Sequence, residues 1–262
     1  MNANLNDARI RMHEEACRYV GQQERMKEKI LPNIVRWQGG SNSTEIWGYY
    51  TPCVANRYLW NGGKSGRLIK PEPFDTDKEN RFLYGIDADD RLIYIEDRIK
   101  NDCSERTYLL YEEDRVLGVT YHDNSPDEVE RFVECRFRED RRIVSFMYLY
   151  MITMEDAELW LRRYRYDADG CIAEFDYLDG IRAWSLCHKE SEKFISWRRI
   201  KAFFHHDEEK RFTGWHKVEY YDDEQEDADY EAAVLATEPY TIKYDRADRL
   251  PTMMTIGKRR KL

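Results

Sequence analysis

Polar and apolar positions follow two different periods along this chain. Between residues 5 and 30, Leu5, Met12, Ala16, Tyr19, Met26 and Ile30 recur every three or four positions among Glu, Lys, Arg and Gln, the spacing that gives a helix one apolar stripe. Pro32 stops that helix, and Gln38-Gly39-Gly40-Ser41-Asn42-Ser43 reads as a loop. Two strands rich in Trp and Tyr, 45–50 and 56–60, are expected next, joined through Pro52 and followed by a loose turn at 61–66. Pro71 and Pro73 mark an internal boundary, because proline cannot donate to a central ladder. Two regions are therefore expected: a helix with a short mixed β cap over 1–73, and a sheet over 74–262.

In the second region the period falls to two, and an acidic echo interrupts it six times, at 86–92, 111–116, 137–143, 166–172, 206–212 and 244–250. Asp and Asn tolerate left-handed backbone and bond their own chain two residues on, so a segment such as Asp87-Ala88-Asp89-Asp90 reverses a strand at little cost. Residues 83–86 should pair with 92–95, 162–166 with 172–177, and 194–204 with 212–221. A lone hairpin is marginal in water, so consecutive hairpins must lie side by side. The fold class that follows is mainly β: an open, twisted antiparallel meander of about six hairpin repeats with an N-terminal α-helix packed on it. The run 143–152 is apolar or aromatic at nearly every position, so it belongs at the centre with both faces covered.

The segments Tyr166-Asp167-Ala168-Asp169-Gly170-Cys171-Ile172 and Tyr244-Asp245-Arg246-Ala247-Asp248-Arg249-Leu250 resemble the Tyr-Asp repeats of the Rhs and teneurin class, whose core is Tyr-Asp-x-x-Gly-Arg-Leu. The resemblance spans roughly 81–255 and implies hairpin repeats. Long arrays of that class close into a shell, whereas six units permit an open curved sheet. Short repeat sheets of this kind also look like the immunity proteins, or antitoxins, of bacterial polymorphic toxin systems, which implies a non-enzymatic protein that plugs a toxin.

Composition narrows the partner. Fifty-one acidic against 42 basic residues leave a formal charge of −9, which disfavours nucleic acid and favours a basic protein, since phosphate binding needs clustered Lys and Arg. The opening MNANLND has neither basic start nor apolar stretch, and no run reaches a membrane span, so a cytoplasmic chain that binds no membrane is expected. Six separated cysteines with no CxxC pair point to reduced, packed thiols.

Candidate chemistry is thin. Gly62-Gly63-Lys64-Ser65 lacks the earlier Gly and the following helix of a phosphate loop. His205-His206-Asp207-Glu208 offers ligand types in a row, but neighbours in a strand point to opposite faces, so no metal site is expected. Cys187-His188 has no third orienting residue. No catalytic residue, cofactor or metal is therefore expected. The expected function is occlusion of a basic toxin domain by aromatic anchors ringed with carboxylates: Tyr148, Tyr150, Trp184, Trp215, Asp222, Asp223 and Glu226. The last three belong to a run of carboxylates at 222–231 that suits mimicry of nucleic-acid phosphate. The alternatives are a scaffolding protein dimerising through the Met12, Ala16, Tyr19, Met26 stripe, and a binder of glycans or small ligands on an aromatic sheet face.

Overall fold

The computed structural model describes residues 2–41, 47–50, 67–70, 80–99, 103–139, 142–151, 157–182, 198–208 and 212–221. Among them, twelve strands form one open antiparallel sheet. In chain order they are β1 (Arg36–Ser41), β2 (Arg67–Ile69), β3 (Asn80–Ile86), β4 (Leu92–Ile99), β5 (Cys103–Tyr111), β6 (Arg115–His122), β7 (Ser125–Phe137), β8 (Ile143–Met151), β9 (Ala157–Tyr166), β10 (Ile172–Arg182), β11 (Arg198–His206) and β12 (Phe212–Tyr221). From β3 to β12 each strand pairs with the next in sequence, a plain meander. The expected pairings are present among the described residues: Ile86 faces Leu92, Tyr166 faces Ile172, and Phe204 faces Trp215, while residues 194–197 lie outside them.

Both faces of the sheet are covered at its centre. On one face, Tyr94, Tyr108, Leu117, Tyr121, Phe132, Leu149 and Leu161 pack beneath two helices, α1 (Asn2–Cys17) and α2 (Gln23–Ile30), which contribute Met12, Ala16, Met26 and Ile30. On the other, Phe82, Tyr84, Ile95, Val133, Phe146 and Tyr148 pack with Trp47 and Tyr50, from a short 3-10 segment at Gly48–Tyr50 and the residue before it. Alternation along each strand supplies both layers: on β8, Phe146 and Tyr148 point one way while Met147, Leu149 and Met151 point the other. The double covering expected of the 143–152 run is therefore present, and burial of each such side chain stabilises the fold by about 1.5–3 kcal/mol.

Three local expectations are corrected. The single helix is two, because after Cys17 the chain turns through Gly21 at φ 68°. Its amide donates to the Asp127 carbonyl at 2.7 Å, and the Tyr121 hydroxyl donates to the Tyr19 carbonyl at 2.7 Å. The sheet thus holds the link, setting α1 on β7–β9 and α2 on β5. Residues 38–41, expected in a loop, belong to β1, which lies between β3 and β2. Glycine serves that strand because a Cβ on Gly40 would lie 2.6 Å from the buried Tyr84 ring. Residues 47–50 are not a strand but the cover over the second face.

Because β1 bonds directly to β3, one sheet contains residues from both 1–73 and 74–262. The helical stripe offered for dimerisation is occupied: Met12 and Ala16 are fully buried and Met26 nearly so, against the chain's own sheet. The strand expected at 56–60, the turn at 61–66, Gly62-Gly63-Lys64-Ser65, Pro71, Pro73 and Cys187-His188 lie outside the described residues. No helix among the described residues is long and apolar enough to cross a membrane.

Candidate functional site

In a meander, alternate turns fall at the same end of the sheet. The β3–β4, β5–β6, β7–β8, β9–β10 and β11–β12 connections are five of the six acidic echoes, so they form one rim; the sixth, at 244–250, lies outside the described residues. The described residues of the connecting segments 87–91, 112–114, 138–142, 167–171 and 207–211 carry eleven carboxylates and three basic side chains.

The first turn shows how the sequence builds the rim. The Asp87 amide donates to the Arg91 carbonyl at 3.0 Å, and Asp87 Oδ1 accepts the amides of Asp89 and Arg91 at 3.0 and 2.8 Å. Asp90 then sits at φ 61°, which Asp tolerates better than a bulkier residue. The fourth turn repeats the pattern: Asp167 N to Cys171 O at 3.0 Å, Cys171 N to Asp167 Oδ1 at 2.8 Å, and Gly170 at φ 83°.

Two pairs of neighbouring turns are clasped by the tyrosine that opens the later turn of each pair. The Tyr111 hydroxyl donates to the Leu92 carbonyl at 2.8 Å while the Arg91 guanidinium lies 5.3 Å from its ring centre. Tyr166 does the same one hairpin pair later, donating to the Ile143 carbonyl at 2.7 Å beneath Arg142, 5.4 Å away. Thus the tyrosine of one turn binds the arginine and the first return residue of the turn before it, through a hydrogen bond and a cation–π contact. This link was not foreseen. The signal for it was the arginine that precedes the returning strand in both accepting turns.

At the last clasp the residue types change. The tyrosine position is His206 and the arginine position is Cys171. Asp167, Cys171 and His206 bring one ligand atom each to within 4.8 Å of one another. Burial pushes the His206 imidazolium down from its ordinary pKa, with Asp167 and Asp207 opposing that shift and His205 adding to it. Of the ligand types singled out along 205–208, His206 meets Asp167 and Cys171 across the sheet.

No protein-family model matches this chain, and no curated protein matches it.

Behind the rim lie two buried carboxylates. Glu134 on β7, fully buried, accepts from Arg11 at 2.8 and 2.9 Å, from Arg115 at 2.8 Å and from Arg136 at 2.8 and 3.0 Å. Burial pushes its carboxyl up, but the hydrogen bonds from Arg11, Arg136 and Arg115 outweigh that and hold it at about 2. Glu105 on β5 faces the other way and is paired with Arg131. Burial, aided by the charges of Glu130 and Asp97 and opposed by Arg131, pushes Glu105 up to about 7. It lines a small polar hollow with Asp97, Thr107, Thr120 and Arg131 beneath Trp47.

Of the anchors expected from sequence, Tyr148, Tyr150 and Trp215 lie among the described residues. Tyr148 is buried, 5% exposed, and stacks on Trp160 with ring centres 4.4 Å apart, so it presents no surface to a partner. The exposure expected of it fails because it lies on the face that Trp47 covers. Tyr150 is half-buried at the edge of the same layer. Trp215 belongs to β12, opposite Phe204. Trp184, Asp222, Asp223 and Glu226 lie outside the described residues.

Proposed function

We propose that this chain is a non-enzymatic immunity or antitoxin-type protein of the bacterial cytoplasm, which lays its acidic rim against a basic toxin domain and occludes it. The observation that supports this reading is the gathering of eleven carboxylates, among the described residues, into five turns along one end of a single sheet. The central faces are occupied by helices on one side and by Trp47 and Tyr50 on the other, so the rim is the part of the sheet suited to a partner. A net negative rim speeds the encounter with an oppositely charged protein and sets its register. Loops on a rigid scaffold are also where recognition is readily varied. Exposed Asp89, Glu113, Asp169 and Glu208 are the leading contacts.

The test is co-expression with the product of the neighbouring gene, followed by association kinetics. The toxin's activity should fall to background at equimolar protein. Changing Asp89, Glu113, Asp169 and Glu208 together to Lys should slow association at least tenfold and flatten its dependence on salt, while the circular dichroism spectrum stays unchanged. Full toxin activity in excess protein overturns the proposal.

A further inference from the structure

We propose that Asp167, Cys171 and His206 form a binding site for a transition-metal dication of the zinc class, built where the last clasp of the rim replaces arginine and tyrosine with cysteine and histidine. Two observations carry it, and they are independent. The first is geometric: three ligand atoms of three different types, from two hairpins, lie within 4.8 Å of one another. The second is the comparison among turns. At 87–91 and 111 the same three positions are Asp87, Arg91 and Tyr111, held together by a carboxylate–guanidinium pair at 2.7 Å and a guanidinium–ring contact. At the last clasp the turn hydrogen bonds survive, Asp167 N to Cys171 O and Cys171 N to Asp167 Oδ1, yet cysteine stands where the first turn has its bridging arginine. A metal dication would stand where the guanidinium stands in the first turn, between a carboxylate and the residue that opens the next turn.

The chemistry of the ligands selects the ion. One sulfur, one imidazole nitrogen and one carboxylate oxygen suit zinc or cobalt rather than calcium or magnesium, which prefer oxygen alone. Tetrahedral bonds of about 2.0–2.3 Å set ligand atoms roughly 3.3–3.8 Å apart, so the site closes by a small side-chain rotation. A carboxylate has two oxygens, so coordination through the other one leaves the Asp167 Oδ1 bond to the turn intact. An imidazole coordinates in its neutral form. Cys171 and His206 are half-buried while Asp167 is exposed, which leaves the fourth position to water. Among the described residues, His205 and Asp207 also act on the ring.

The experiment uses the full chain, stripped with a chelator and dialysed, then titrated with Co2+ and, separately, with Zn2+ against a chromogenic chelator. The wild type should bind one equivalent and show a near-ultraviolet thiolate-to-cobalt charge-transfer band. C171S should abolish the band, and H206Q should weaken Zn2+ binding at least tenfold. The double variant C171R/H206Y, which restores the residue types of the first turn, should bind no metal and still unfold cooperatively. Absence of the band in the wild type, or its survival in C171S, overturns the proposal, and both of these readouts are available whether or not the double variant folds.

Discussion

Glu134 and Glu105 lie on opposite faces of the same sheet, in strands separated only by β6, and both are at least 95% buried. Their surroundings drive them in opposite directions. Beneath the helices, Glu134 meets three guanidiniums, two from the sheet and Arg11 from α1, and stays ionised down to about pH 2. Beneath Trp47, Glu105 meets one guanidinium and two further carboxylates and titrates near 7. Burial is common to both, so the balance of neighbouring charge decides the sign. The helical cover is stitched to the sheet by ions: Arg115 also binds Glu15 of α1 at 2.8 and 2.9 Å. The opposite cover rests on aromatic packing, with Trp47 set edge-on to Phe146 at 5.8 Å.

The largest effect should come from breaking the ionic side. Glu134→Ala leaves Arg11, Arg115 and Arg136 without their shared carboxylate and should cost about 3–5 kcal/mol, read as a lower urea midpoint. Next is the aromatic side. A Cβ on Gly118 would lie 2.7 Å from the Trp47 ring, so Gly118→Ala should lift that cover at a cost of about 1–3 kcal/mol, seen in the urea midpoint and near-ultraviolet circular dichroism. An unchanged midpoint in either variant would remove the corresponding side of the comparison.

The two carboxylates should also separate by pH. Glu134 is depressed below the ordinary 4.5, so its contribution is complete above pH 4.5 and is lost as pH falls toward 2. Glu105 is raised, so its contribution is complete below pH 4.5 and is lost as pH rises through about 7. Between pH 5 and 8 the wild type should therefore lose stability relative to Glu105→Gln; a constant difference across that range would contradict the assignment. The smallest effect belongs to the hydroxyl pair beside Glu105, Thr107 and Thr120, 2.7 Å apart. Thr107→Val alone should cost about 1 kcal/mol by stranding a buried hydroxyl, and adding Thr120→Val should recover most of it.

The meander was legible because its signals are local. Asp at a strand end, a left-handed position three residues later, and alternating flanks act within a dozen residues, so Asp87, Asp90, Asp167 and Gly170 announce their turns wherever the strands go. The apolar stripe on the helices was legible for the same reason. What lay across the sheet was not. Tyr148 looked like an anchor because aromatic residues on a strand carry no mark of which face is covered, and the covering residue is Trp47, about a hundred positions away. The Gly39-Gly40 pair read as a loop because glycine marks both turns and close approach, and only the Tyr84 ring distinguishes the two.

The sequence by itself determined that strands would follow one another in antiparallel order with acidic reversals between them, because turn chemistry and two-residue alternation are properties of short segments. Only the tertiary structure decided which carboxylate is held ionised, which aromatic is hidden, and that Asp167, Cys171 and His206 meet. Those outcomes depend on register between strands and on what covers each face, and both are set by contacts between residues tens of positions apart.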